Sequence, residues 1–189
     1  GRCGAFAQLT GQYDSALYYH HQSVLLYKKY NDRIGLALAN NYLGITYKEM
    51  GSLDIAYRHF QKSNDLYKEL GILNRIASSS FNMGNVLLLK GRYHEALQIY
   101  LEAKKNYEKV DDNRGIAQCY GSMGDLYLQM KNYTAAKENL NEALRLGKQL
   151  QLKRDIALDL QSLAKVFEAE NNFDSALVYY NEALQLWIK

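Results

Sequence analysis

The chain returns to one residue pattern every forty positions. Blocks that begin at Gly11, Gly51, Gly91, Lys131 and Asn171 align without a single insertion. Ala16, Ala56, Ala96, Ala136 and Ala176 then share a column, and Gly4, Gly44, Gly84, Gly124 and Ala164 share another. Tyr13, Leu53, Tyr93, Tyr133 and Phe173 form a third. A fixed period of this length is the mark of a solenoid, in which each unit buries its apolar face only against its neighbours. Residues 1–189 are therefore expected to form one array. It comprises a half repeat at 1–10, full repeats at 11–50, 51–90, 91–130 and 131–170, and a half repeat at 171–189.

Within the stretch from Arg33 to Leu70, Ala37, Tyr42, Leu43, Ile45, Thr46 and Tyr47 make an apolar stripe at helical spacing. Met50-Gly51-Ser52 interrupts it, and glycine can take the left-handed conformation that closes a helix. Leu53, Ala56, Tyr57, Phe60, Ser63 and Tyr67 then recur in steps of three and four. Each repeat thus reads as a first helix of roughly seventeen residues, a tight turn and a second helix of similar length. Short polar links follow, such as Asn31-Asp32-Arg33 and Asp111-Asp112-Asn113. The absence of proline suits long helices. The glycine and alanine columns allow close approach of paired helices, and Phe60, Tyr100 and Tyr180 fill around them.

Composition narrows the class of function. The net charge is only +3. Lys28, Lys29, Lys68, Lys104, Lys105, Lys109 and Lys148 lie toward helix ends, where cations suit the helix dipole. Glu102, Glu108, Asp111 and Asp112 break up their field, which favours a solvated face over a nucleic-acid patch. No apolar run is long enough to span a membrane. Cys3 and Cys119 lie far apart in the array, so a disulfide between them is not expected. Cys119 is read as a small apolar residue, compatible with a reducing, cytoplasmic setting.

Several of these residues resemble the tetratricopeptide repeat family. They are Tyr42-Leu43-Gly44 with Tyr47, Ala56, Phe60 and Ser63; Asn82-Met83-Gly84 with Ala96, Tyr100 and Ala103; and Met123-Gly124 with Tyr127, Ala136, Leu140 and Ala143. The period is longer than the family's usual 34 residues, and its proline is missing. The longer helices look like the subgroup found in G-protein-modulator spindle adaptors and in bacterial Rap-type regulators. Asn113-Arg114-Gly115-Ile116-Ala117 is similar to that subgroup's entry into the first helix. The resemblance implies an all-α, right-handed superhelical solenoid of antiparallel helix pairs.

It also implies a concave groove lined by first helices, in which a peptide segment or a helix of a protein partner is held. The positions carried over are Tyr42 and Ile45; Phe81, Asn82, Asn85, Leu88 and Leu89; and Gln118, Ser122 and Asp125. The rest of the lining is Leu38, Asn41, Lys48, Glu49 and Ser78, then Gly121, Leu128 and Gln129, then Leu158, Gln161, Ser162 and Lys165. Met83, Val86 and Leu87 occupy core columns. That leaves Phe81, Leu88 and Leu89 either as a contact cluster in the groove or buried against the next repeat by the twist of the array. Asn82 can grip a main chain because its amide both donates and accepts, or it can cap local backbone. The family's clamp for a terminal carboxylate is not expected, because Asn41, Phe81, Gly121 and Gln161 carry no charge.

No phosphate-binding glycine loop, dinucleotide fingerprint or zinc spacing occurs, and no nucleophile and base can be paired from spacing. Neither an enzyme nor a cofactor is expected. His20, His21, His59 and His94 fall on second helices; His20 shares the column of Phe60 and Tyr100 and reads as partly packed. Gly147 stands where Tyr27, Tyr67 and Tyr107 stand, a candidate hinge. An RNA-binding helical repeat is the alternative function, prompted by the basic pI. The chain reads as a piece of a longer array, with uncovered apolar faces at Gly1 to Thr10 and Trp187 to Lys189 through which it could self-associate.

Overall fold

The computed structural model describes the backbone of residues 2–188 and the side chains of 13–188. Among the described residues there are helices and no strands. The chain divides into two compact units, 1–91 and 92–189. The first holds α1 (Arg2–Lys29), α2 (Arg33–Glu49), α3 (Leu53–Leu70) and α4 (Leu73–Leu89). The second holds α5 (Tyr93–Glu108), α6 (Asn113–Gln129), α7 (Tyr133–Gln149), α8 (Lys153–Ala169) and α9 (Phe173–Ile188). In each unit, helices adjacent in sequence pack together as hairpins.

The turns explain why the period survives without insertion. A residue with positive φ stands every twenty positions: Asn31, Gly51, Gly71, Gly91, Asp111, Lys131, Gln151 and Asn171. At Gly51 (φ 76°) the conformation costs nothing, and it lets Ser52 N–H reach back to the Tyr47 carbonyl at 2.8 Å. The same six-residue closure joins Asp112 N–H to the Tyr107 carbonyl at 3.0 Å. At Lys131 and Gln151 a side chain accepts the left-handed region at a cost of about 1–2 kcal/mol. The entries are fixed as firmly. Asp32 and Asp112 each accept a hydrogen bond from the backbone N–H of Gly35 and Gly115, at 2.8 and 2.9 Å. A Cβ on Gly115 would lie 2.4 Å from the Tyr107 ring, and one on Gly35 would lie 2.4 Å from the Tyr27 ring. The Asp-x-x-Gly entry is thus the seat of the preceding helix's tyrosine.

The small and large columns meet as the pattern requires. Ala56, Ala96, Ala136 and Ala176 are buried, as are Gly44, Gly84, Gly124 and Ala164. A Cβ on Gly44 would stand 2.7 Å from the Phe60 ring, and one on Gly124 would stand 2.5 Å from Leu140. At Gly147, the candidate hinge, α7 runs unbroken, and Ile156 lies 3.0 Å from where a Cβ would be. Cys119 is fully buried and unpaired, and burial pushes its thiol up to about 12. The side chain of Cys3 lies outside the described residues.

One expected turn is absent. The pattern places a helix break at Gly11, yet α1 runs continuously through it. One helical glycine costs only about 1 kcal/mol relative to alanine, so Gly11 does not by itself force a break.

At the other end, α9 carries an apolar stripe of Phe173, Leu177, Leu184 and Trp187, all exposed. In column with Leu184 stands Leu144, which is 6% exposed against 51% for Leu184. Leu144→Ala should therefore cost about 2–5 kcal/mol, and Leu184→Ala should stay within about 0.5 kcal/mol of wild type. Urea denaturation followed by circular dichroism reads both; equal losses would mean that α9 is covered. No helix among the described residues is long and apolar enough to cross a membrane.

Candidate peptide-binding face

In the unit 1–91 the first helices are α2 and α4. The forty-residue register puts Tyr42 and Ile45 on α2 at the same helical positions as Asn82 and Asn85 on α4. Asn82 donates an amide hydrogen to Oδ1 of Asn41 across the two helices at 3.2 Å. Both amides are half-buried. Asn82 therefore neither caps local backbone nor stands alone in water. The bond occupies one of its hydrogens and holds the amide plane in place.

Apolar groups surround this pair. Leu89 is exposed at 61% and Tyr42 at 46%, whereas Ile45, Phe81, Asn85 and Leu88 are half-buried. Met83, Val86 and Leu87 go into the core, with exposures of 8% or less. The cluster is thus graded: Leu89 is open, and Leu88 is shared between the core and the face. His20, on a second helix and expected to lie away from the groove, instead stacks on Tyr42 with ring centroids 5.4 Å apart and planes within 8°. Burial, then the neighbouring His21, lowers its pKa, favouring the neutral ring.

In the unit 92–189 the first helices are α6 and α8. Gln118, Ser122 and Asp125 are half-buried on α6. Ser122 is hydrogen-bonded to the hydroxyl of fully buried Tyr100, and Ser162 bonds to the Asp125 carboxylate. Burial raises the pKa of Asp125, opposed by Ser162 and by Lys165. Gly121 and Ser162 do not line an open surface; both are buried. Gly121 is covered because the Asp159 carboxylate lies 2.6 Å from where a Cβ would be.

Asp159 is the residue that pattern reasoning passed over. Burial first, then the nearby Asp125 and Asp155, push its carboxyl up to about 8. Oδ2 of Asp155 is itself buried without a hydrogen-bond partner, with the Arg114 guanidinium 3.8 Å away. The signal was present in the repeat. The column of Asp159 otherwise holds Ala39, Ser79 and Cys119, all buried and none ionisable at neutral pH. An acid in a core column marks a place where the array departs from pure packing. Lys104 departs too: rather than a free surface cation, it pairs with Glu108 at 2.6 Å and lies 5.1 Å above the Tyr120 ring. Among the described residues no three His, Cys, Asp or Glu side chains form a group able to hold a metal ion.

Comparison with known proteins agrees with this geometry. Residues 75–149 match the tetratricopeptide repeat family model. The match takes in α5, α6 and α7 with most of α4, and the helix pairs with their small and large columns give an all-α repeat fold like that of tetratricopeptide-repeat proteins. No curated protein matches it in sequence. Solved structures with the same fold include BtubC from P. vanneervenii, at 18% identity and a TM-score of 0.81, covering 96% of this chain and 75% of that one. A Rap protein complexed with competence and sporulation factor superposes with a TM-score of 0.83 at 15% identity, covering 97% of this chain. The chain spans about half of that protein's length, 51%. The kinesin-light-chain TPR-like repeats of Podospora anserina give a TM-score of 0.72 at 12% identity, covering 98% of this chain and 91% of theirs.

Proposed function

We infer that the first-helix faces hold a peptide segment or a helix of a protein partner, so that the chain is a protein-interaction scaffold rather than an enzyme. The observation that carries this reading is the Asn82–Asn41 hydrogen bond set beside exposed Leu89 and Tyr42. An amide held by one bond keeps a carbonyl and a second hydrogen for a peptide main chain. The open apolar groups beside it supply contact area. In the unit 92–189, Ser122 and Asp125 stand on α6 at the positions that Asn82 and Asn85 hold on α4. The similar Rap protein was solved with a bound factor, which supports a ligand-holding use of the fold.

The RNA alternative has weaker support. A phosphate-binding face is basic, whereas here Lys48 adjoins Glu49 in sequence, and Lys165 acts on the carboxylate of Asp125. Phage-displayed peptides panned on the immobilised chain test the reading. Selected peptides should bind Leu89→Ala and Asn82→Ala at least about tenfold more weakly, equivalent to about 1.4 kcal/mol. Both changes should leave helicity intact, since Leu89 is exposed. Lys105→Ala and Lys109→Ala should change nothing. If the lysine variants alone lose binding, and affinity for poly(U) falls steeply with salt, the RNA reading replaces this one.

A further inference from the structure

A second site lies away from these faces, in a cleft over α2 bordered by α1 and α3. Its volume is about 360 Å³, within the range of small-molecule sites. The floor is apolar: Val24 from α1, Leu36 and Leu43 from α2, and Leu66 from α3. The rim is cationic. Lys28 comes from α1 and Lys62 from α3, and among the described residues no ion pair holds either lysine. Asp65 on α3 is the one acid in the lining. His59 Nδ1 and Asn40 Oδ1 are 3.0 Å apart, and the His59 ring stacks on Tyr47.

The repeat supplies an internal control. Eighty positions on, the equivalent of Asn40 is Tyr120, and the equivalents of Lys28 and Lys62 are Glu108 and Glu142. There the tyrosine lies beneath Lys104, while Glu108 pairs with Lys104 and Glu142 with Arg145. In the later repeat the corresponding place thus carries a large ring and acids satisfied by their own cations. The unit 1–91 substitutes a small amide for the ring and lysines for both acids. Packing does not require a double reversal of charge together with loss of the large side chain.

We propose that this cleft binds a small amphiphilic anion, an apolar body carrying one carboxylate, with the carboxylate held between Lys28 and Lys62 and the body against Val24, Leu36 and Leu66. The apolar floor disfavours a bare inorganic ion, and the two lysines favour an anion over a neutral molecule. His59 supplies the reporter. Burial, then Lys62, His21 and Arg58, lower its pKa to about 4. The charged groups around it are His21 and Lys28 on α1 and Arg58, Lys62 and Asp65 on α3; α2 contributes the uncharged Asn40 and the stacked ring of Tyr47. A carboxylate in the cleft opposes those cations, so the pKa of His59 rises on binding.

The test is NMR titration of His59 in the full chain with octanoate, octanamide and inorganic phosphate. Octanoate should saturate and move the His59 pKa upward; octanamide and phosphate should do neither. Lys28→Gln with Lys62→Gln, both exposed sites, should weaken octanoate at least about tenfold. Asn40→Tyr, copying the later repeat, should abolish the response, provided circular dichroism shows it folded. Equal binding of octanamide would reduce the cleft to an apolar crevice. Equal binding of phosphate would reduce it to a basic patch. An unmoved His59, or octanoate binding unchanged in the double lysine variant, would overturn the proposal, and the lysine variants keep it testable if Asn40→Tyr does not fold.

Discussion

Phe60→Ala should lower stability by about 3–5 kcal/mol, the largest loss expected from any one substitution in the unit 1–91. Phe60 is fully buried, and its ring fills the space that Gly44 leaves on the facing helix. Truncation removes a large apolar surface and opens a cavity between α2 and α3, which cannot close because the turn at Gly51 holds them in register. Urea denaturation followed by circular dichroism reads the loss in the transition of that unit. The reciprocal change, Gly44→Ala, places a methyl 2.7 Å from the ring and should cost about 1–3 kcal/mol. The array contains its own natural variant of this pair. Ala164 occupies the glycine column, and its facing Tyr180 is 36% exposed, with its hydroxyl donating to Glu168 at 3.0 Å. A Cβ is tolerated there because the ring is not confined. A Phe60→Ala loss below about 1 kcal/mol would mean that the small and large columns do not hold the hairpins together.

Asp159→Asn should change how stability depends on pH. The folded carboxyl titrates near 8, well above the value of an unfolded aspartate near 3.9. Between those values the native state holds a proton that the unfolded state has lost. This group therefore destabilises the fold progressively as pH rises, by up to about 1.4 kcal/mol per pH unit, and the effect levels off above pH 8. Asparagine keeps the shape and cannot ionise. The stability of the variant minus that of wild type should thus grow from pH 5 to pH 8. Taking this difference matters, because His59 acts oppositely in wild type. Its lowered pKa adds stability as pH rises from about 4 to 6.5. Melting curves of both proteins at half-unit intervals give the answer. A difference that is flat across that range would place Asp159 in solvent rather than over Gly121.

Much of the fold was legible because a solenoid writes its local rules repeatedly. Helix bounds follow from turn residues at every twentieth position, and the first and second helices follow from apolar spacing within one block. The Asp-x-x-Gly entries are equally local, since Asp32 caps a backbone group only three residues away. Where the pattern failed, the reason was again local. At Gly11 the turn signal is present, but a helical glycine costs only about 1 kcal/mol and α1 runs through it.

The candidate face was legible in position and illegible in contact. Periodicity places Asn82, Leu88 and Leu89 on one side of α4. It cannot say that Asn82 meets Asn41, that Leu88 is half covered while Leu89 is open, or that His20 crosses from a second helix to lie on Tyr42. Lys104 shows the same limit, for its place near a helix end reads as solvated, yet Tyr120 sits beneath it.

By itself the sequence determined the repeat, the helix class, the register and the columns of small and large residues, because each depends on separations within one helix or one turn. Tertiary structure alone decided the electrostatics. Asp159 becomes a neutral acid at pH 7 only because α8 brings it over Gly121 and beside Asp125, and Lys28 and Lys62 share a cleft only because α1 and α3 both pack against α2. A helical period records which way a side chain points. The energy of a charge depends on what lies across from it, and only packing brings those groups together.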